Sequence, residues 1–227
     1  MRLSAILFIF NAFMFSAAQA DMPNTITVKV SDVKNGRAIP DQYAFCTLDG
    51  KNKTKDSQNM SPAIGWSGAP ENARSFVILM VDKDVPKTFE LANQPDKTIP
   101  YDFPRQDFYH WVLVDVPAAM VGIAKAKASN GKVPGGKPLG RVAYGINGQN
   151  DYATFMDGTF GGYDGPCPPW NDERMHHYHF MVYALDVETL GLSGKFNGRD
   201  VMAAMQGHVL AKGELMGTYT NNYRHRR

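Results

Sequence analysis

The chain has 227 residues, of which 44% are hydrophobic and 20% charged, a balance typical of a globular protein with a sizeable core. With 24 basic and 22 acidic side chains the formal net charge is only +2, so no broad electrostatic attraction to nucleic acid is expected. The locally basic residues 224–227 are predicted to be a solvated end rather than a binding arm.

The first twenty residues have the pattern of a secretory signal peptide. Arg2 precedes an apolar run over residues 3–15, and residues 18–20 form a small-x-small cleavage pattern. The run is shorter than the ~20 apolar residues that a membrane-spanning helix needs. We therefore expect residues 1–20 to be removed on export. Residues 21–227 then form a single periplasmic or secreted domain with no transmembrane segment.

Cys46 and Cys167 are the two cysteines of the chain. An exported protein meets an oxidising compartment in which a disulfide persists, so a bond between them is the favoured interpretation. The alternative is a reactive thiol at Cys167, which lies between prolines and close to several histidines in the sequence.

Four stretches have the hydrophobic pattern of β-strands. Ile26, Val28 and Val30 alternate with polar residues, which is the period of a half-buried strand. Three continuous apolar runs predict central strands covered on both faces: residues 76–81, 111–116 and 180–185. The long turn-rich stretches between them are expected to carry function: residues 49–68, 87–106 and 131–165.

One helix is predicted late in the chain. Asn197 is placed to cap the start of this helix, and the Asp200 side chain is placed to reach back to the Asn197 backbone. Val201, Met205 and Val209 are spaced four residues apart and share one face. We expect Gly213 to end this helix and residues 215–219 to add a closing strand. The pattern as a whole predicts one mainly β domain with small peripheral helices.

Three separated segments carry acids, imidazoles, a phenol and rigid prolines, the inventory of an anion-binding pocket. In an extended strand His176 and Tyr178 share one face, so they point together at a ligand, while His177 and His179 share the other. The same alternation puts His110 with Val112 and Val114, opposite Trp111. Taken singly, each histidine is better explained as a strand-end imidazole hydrogen-bonded to backbone.

The order of several motifs resembles the phosphatidylethanolamine-binding protein family, in particular its bacterial Raf-kinase-inhibitor-like branch. The motifs span most of the mature chain: Phe45-Cys46, residues 61–70 (SPAIGWSGAP), Ser75-Phe76, residues 82–86 (DKDVP), His110-Trp111, residues 165–169 (GPCPP), residues 176–178 (HHY) and residues 183–186 (YALD).

This resemblance implies an antiparallel β-sandwich with a small anion pocket at one end, and a cis peptide bond before Pro86. It assigns nine residues to the pocket or its rim: Asp82, Asp84, Pro86, His110, Gly165, Pro166, Pro168, His176 and Tyr178. Two departures stand out. Lys83 replaces the proline that the family has between the two aspartates, and is expected to point to solvent. The insert that follows Pro86, residues 87–107, is long.

The chemistry fits a phosphate or a phosphorylated head group, because imidazole, phenol and backbone amides donate hydrogen bonds to phosphate oxygens and prolines form rigid apolar walls. Two aspartates would repel an anion. We therefore expect Asp82 to be tied to a histidine in its protonated donor form, and Asp84 to order its loop. An ethanolamine-like ammonium would be received by an acid or an aromatic ring at the rim. No cofactor is expected.

Three other interpretations stay open. A phosphoester hydrolase would use the His/Asp pocket. The sequence contains no nucleophile-elbow motif and no phosphate-binding-loop motif, so we expect the protein to have no enzymatic activity. A metal site would use His176, His177 and His179 with nearby acids: Asp164, Asp172 and Glu173. A pure protein-interaction scaffold would keep the inherited pocket without using it to bind a ligand. Modulation of a protein partner, including a kinase, is implied only by the family's name.

Overall fold

The structure is a computed structural model that describes residues 25–226. The predicted signal peptide lies outside the described residues. Twelve strands and one α-helix form the domain, with short 3-10 helices over Asp41–Tyr43 and Asp151–Thr154. The bounds are β1 Thr27–Val30, β2 Arg37–Ala38, β3 Cys46–Leu48, β4 Thr54–Asp56, β5 Ile64–Ser67, β6 Ser75–Pro86, β7 Arg105–Pro117, β8 Gly122–Ile123, β9 Gly140–Val142, β10 Gly145–Asn147, β11 His176–Leu185, α1 Gly198–Ala204 and β12 Val209–Tyr219.

The domain is a β-sandwich, as expected. The main sheet has seven strands in the order β2-β12-β11-β6-β7-β10-β9, and a second sheet has the order β1-β5-β8. Neighbouring strands are antiparallel except for the short β12–β2 pair. A two-stranded ribbon, β3-β4, completes the set. The described residues contain no helix long and apolar enough to span a bilayer.

The three predicted central strands are β6, β7 and β11, which are buried on both faces because apolar layers cover both sides of the main sheet. On one side Ile78, Met80 and Phe180 pack against the second sheet, which contributes Val28 and Trp66. The other side packs against α1 and the neighbouring loops. The continuous apolar runs in the sequence are therefore explained by two cores that share one sheet.

A β-bulge in β7 changes the predicted direction of His110. Met80 of β6 pairs with Trp111, and the next residue, Val81, pairs with Tyr109, so His110 has no partner across the ladder. Such an extra residue interrupts the alternation of side chains. As a result His110 lies on the sandwich side with Trp111. The prediction that it shares a face with Val112 was wrong, because strict period-2 counting cannot register the bulge.

The capped helix is confirmed, but it is shorter than predicted. Asn197 accepts hydrogen bonds from the first turn and Asp200 reaches back to the Asn197 amide. The helix ends at Ala204, and Gly207, with φ of +83°, turns the chain into β12. The prediction that Gly213 ends the helix was wrong. Gly213 lies inside β12, where a Cβ would meet the carbonyl oxygen of Ile26 at 2.0 Å.

Two further expectations concern covalent geometry. Cys46 and Cys167 form a disulfide with their Cα atoms 4.9 Å apart, which confirms the favoured pairing and excludes a free thiol at either position. The cis peptide expected before Pro86 is absent, since every peptide bond in residues 25–226 is trans. Pro86 instead closes β6, where it pairs with Arg105 in the antiparallel ladder.

Candidate anion-binding site

A small cavity lies where the start of β11 meets the far half of β6. Tyr178 and Asp82 stand directly opposite each other in this ladder. The cavity volume is about 40 Å³, a few times the ~10–15 Å³ that one water molecule requires. The cavity is too small for a whole lipid, and its volume suits a small polar group. Five of the nine predicted site residues line it: Asp82, His110, Pro168, His176 and Tyr178.

His176 lies between two carboxylates. Its Nδ1 donates to Asp82 Oδ2 at 2.7 Å and its Nε2 donates to Asp172 Oδ2 at 3.1 Å, with all three side chains 1% exposed. Burial opposes charge on each group, but their attraction and hydrogen bonds prevail. They raise the pKa of His176 from 6.5 to about 9 and hold the pKa of Asp82 below its usual value. Both N–H groups of this imidazolium are therefore used within the protein.

Arg105 extends this chain of charges. Its guanidinium binds Asp172 through two hydrogen bonds, at 2.5 and 3.0 Å, and also donates to the Asp84 carbonyl at 2.8 Å. Burial alone would raise the pKa of Asp172, but the hydrogen bonds from His176 and Arg105 lower it. Two cations thus balance two carboxylates, so the buried network has no net charge to repel an anion.

His110 is the imidazole that stays available to a ligand. Its Nδ1 donates to the backbone carbonyl of Asp164 at 2.8 Å, because a carbonyl only accepts. Burial lowers the pKa of His110 despite the nearby charge of Asp82, so the ring is neutral at pH 7. The Nε2 atom is therefore a lone-pair acceptor, and within residues 25–226 it has no hydrogen-bond partner.

Tyr178 supplies a donor beside it. The two rings meet edge to face with centroids 5.2 Å apart. The Tyr178 hydroxyl is buried and has no hydrogen-bond partner among the described residues. Asp82 faces this hydroxyl: burial comes first, and the charge of Asp82 and a side-chain interaction with it add to burial in raising the pKa of Tyr178 well above 10. The two groups nevertheless do not meet in normal hydrogen-bonding geometry. The cavity thus holds an unused donor next to an unused acceptor.

Aromatic side chains form the walls and the mouth. Phe108 and Tyr152 pack on His110, with ring centroids 4.8 and 5.5 Å away. Phe89, from the insert after β6, and Phe155, just after the second 3-10 helix, lie at the mouth. The sequence predicts none of these four rings as part of the site, because they lie on turn-rich segments or carry no polar group that marks them.

The remaining four predicted residues support the cavity from outside its lining. Asp84 accepts from the backbone and the ring of His177 at 2.9 and 2.8 Å, which orders the loop as expected. Gly165 packs so closely on the chain that a Cβ would lie 1.8 Å from the Tyr43 carbonyl oxygen. The Pro166 carbonyl accepts the amides of Phe45 and Cys46, and Pro86 lies in the β6–β7 ladder.

Lys83 is exposed, as expected, and the other histidines make separate pairs. His177 binds Asp84, and His179 binds Glu214 at 2.7 Å on the opposite face of β11. Over the described part of the chain no group of three or more His, Cys, Asp or Glu side chains is arranged to hold a metal ion. Of the residues named for the metal alternative, His176 and Asp172 bind each other, while His177 and His179 pair with other acids.

Comparisons with known proteins agree with this architecture. The family model described as phosphatidylethanolamine-binding protein matches residues 29–220. A UPF0098 protein of Aquifex aeolicus is 33% identical over 93% of this chain and 95% of its own length. The UPF0098 protein YbcL of Escherichia coli is 25% identical over 92% of this chain and 93% of its own length.

Two solved structures share the fold. The crystal structure of Escherichia coli YbcL, described as a new member of the mammalian PEBP family, superposes with a TM-score of 0.62 at 24% identity and covers 86% of this chain and 98% of its own. A putative phosphatidylethanolamine-binding protein homologue of Chlamydia trachomatis gives 0.59 at 24% identity, covering 86% and 97%. By the family model and the Aquifex relative, the chain belongs to the phosphatidylethanolamine-binding protein family.

Proposed function

We propose that this protein binds phosphate, or the phosphate of a phosphorylated head group, in the cavity between β6, β7 and β11. One observation carries the proposal: Tyr178 lines the cavity beside His110, and its buried hydroxyl has no hydrogen-bond partner in the described protein. A buried hydroxyl without a hydrogen bond costs about 1–3 kcal/mol. A bound phosphate oxygen supplies the acceptor that removes this cost.

The donor–acceptor pair also defines the protonation state of the ligand. Tyr178 donates to one phosphate oxygen, while the neutral His110 Nε2 requires a proton between itself and a second oxygen. That proton comes with a monoprotonated phosphate or is taken up by His110 on binding. Because the second pKa of a phosphate monoester is about 6, affinity is expected to rise as the pH falls from 8 to 6.

We further propose binding without turnover. Asp82 accepts from His176 and from the Asp84 amide, and both nitrogens of His176 donate to carboxylates. A general base needs a free lone pair within reach of the attacking water. Asp82 and His176 are occupied by each other, and in the proposed complex the free lone pair of His110 Nε2 is taken by the phosphate and not by an attacking water, which supports a binding role.

The proposal also includes a location: the chain acts outside the cytoplasm, in the periplasm or as a secreted protein. The apolar N-terminal pattern and the Cys46–Cys167 disulfide both support export, since disulfides persist in oxidising compartments. Modulation of a protein partner stays a prediction from the family resemblance.

The test is a titration of the mature chain with inorganic phosphate and with phosphoethanolamine. Binding is monitored by calorimetry and by the NMR signals of the imidazole rings. We expect saturable shifts at His110 and a loss of at least about tenfold in affinity for His110→Ala, because a hydrogen bond to a charged group is worth ~1.5–3 kcal/mol. His208→Ala is the matched control, since His208 pairs with Asp186 on the surface. Unshifted His110 signals at millimolar phosphate would refute the proposal.

A further inference from the structure

Two phenylalanine rings stand exposed at the mouth of the cavity. Phe89 is 44% exposed and Phe155 is 54% exposed, and their centroids are 5.6 Å apart with planes inclined by 52°. Both line the cavity that contains Tyr178 and His110. Large aromatic side chains usually bury most of their surface, so an exposed pair at the mouth of a cavity that contains a few polar groups marks a surface that a ligand covers.

The position of Phe89 is fixed by the same segment that holds the buried charges. The Asn171 side chain accepts from the Asn93 amide and donates to the carbonyls of Leu91 and Lys97, at 2.8, 2.8 and 2.9 Å. The next residue is Asp172, which binds His176. The insert is thereby tied to the floor of the site, and Phe89 is held at the mouth.

The acids near the mouth offer nothing to a cationic substituent. Asp82 is the one acid lining the cavity in the described structure, and its two oxygens accept from the Asp84 amide and from His176. An ammonium group attached to a bound phosphate therefore finds no unpaired carboxylate. The two exposed rings offer it a cation–π contact that is offset by the loss of its strong hydration, whereas an apolar group packs on the same faces without that loss.

We propose that Phe89 and Phe155 form a clamp that selects phosphate monoesters of apolar alcohols over free phosphate and over phosphoethanolamine. The phosphate lies in the cavity against Tyr178, and the first apolar carbons of the ester lie against the two rings. This inference rests on the proposed phosphate site and adds the class of ester that the site prefers.

Calorimetry with three probes tests it: inorganic phosphate, phosphoethanolamine and phenyl phosphate. An aromatic contact is worth ~0.5–1.5 kcal/mol, so phenyl phosphate should bind about 3- to 10-fold more tightly than either other probe. Phe89→Ala and Phe155→Ala should each bring this ratio towards one. Both side chains are exposed, so neither change should prevent folding; an unchanged thermal midpoint checks this.

Tyr101→Ala is the matched control, because Tyr101 is an exposed aromatic residue of the same insert that packs on Arg174, and it does not line the cavity. It should leave the ratio unchanged. Equal affinities for phenyl phosphate and phosphoethanolamine, or a ratio that survives both phenylalanine variants, would overturn the clamp while phosphate binding itself stands. If inorganic phosphate and phosphoethanolamine both fail to bind, the site and the clamp fall together.

Discussion

The buried imidazolium of His176 makes the stability of this protein depend on pH in a specific window. The pKa of His176 is about 9 in the folded protein, against about 6.5 when the chain is unfolded. Between these values the folded state holds a proton that the unfolded state has released. The stabilisation is therefore complete below pH 6.5 and is lost as the pH rises through 9.

The magnitude follows from linkage. One pKa unit corresponds to about 1.4 kcal/mol, so a group shifted from 6.5 to about 9 loses about 2 kcal/mol between pH 7 and pH 9 and about 3 kcal/mol in all. This is a change with pH that already contains the cost of burying the charged imidazolium, because burial is one of the causes that set the folded-state pKa of His176.

The assay is urea unfolding of the mature protein at intervals of half a pH unit from 6 to 10, with the disulfide intact. We expect the free energy of unfolding to fall most steeply about midway between the two pKa values and to level off above about pH 9. The His176 imidazole signals should stay those of the protonated ring until about pH 9. His208→Gln, which removes an exposed histidine, should give the same curve. A free energy that is flat between pH 7 and 9, or a His176 that titrates near 6.5, would refute the reasoning.

Three further predictions concern the supports of the site. Replacing Cys46 and Cys167 together by alanine should lower the free energy of unfolding, measured in urea, because the disulfide joins residues 121 positions apart; chain-entropy reasoning gives about 4–5 kcal/mol, and an unchanged value would contradict it. Asp172→Asn should destabilise by about 3–5 kcal/mol and lower the NMR-measured pKa of His176, whereas Arg74→Met, which breaks an exposed pair, should change stability by less than about 0.5 kcal/mol. Asn197→Ala should cost about 1 kcal/mol in the same assay through loss of the helix cap, and a neutral result would show that the cap is redundant.

The sequence predicts the strands and their faces well because hydrophobic periodicity is a local property. Val28 and Val30 face the core, and His176 and Tyr178 share a buried face, as alternation requires. The helix cap is equally local, since Asn197 and Asp200 are three residues apart. The end of the helix was missed because Val209 continues the four-residue spacing by coincidence, after Gly207 has already turned the chain.

The parts of the site that were missed depend on pairing between distant segments. The bulge that turns His110 into the cavity is a property of the β6–β7 register, and neither strand alone reveals it. The sequence suggests Asp172 only as a metal ligand. It reaches His176 because the chain folds back before β11, a contact that an extended reading of this stretch does not predict. Phe89 and Phe155 lie on segments without periodicity, so their meeting at the mouth has no signature in the sequence.

In the proposed site the Tyr178 hydroxyl serves a ligand and does not stabilise the fold. Tyr178→Phe removes a buried hydroxyl that has no partner in the described protein, so stability should not fall and should rise by up to about 1–3 kcal/mol. Tyr163→Phe is the matched control, because the buried Tyr163 hydroxyl donates to the Tyr43 carbonyl at 2.7 Å. Its loss should destabilise by about 1–3 kcal/mol and leave phosphate affinity unchanged.

The most direct measurement is therefore the pair of urea-unfolding and phosphate-titration experiments on wild type, Tyr178→Phe and Tyr163→Phe. We expect the free energy of unfolding to change with opposite signs in Tyr178→Phe and Tyr163→Phe. We also expect a loss of about 10- to 100-fold in phosphate affinity for Tyr178→Phe alone, the equivalent of a hydrogen bond to a charged oxygen. A Tyr178→Phe variant that is destabilised like Tyr163→Phe and binds phosphate as wild type does would contradict the account.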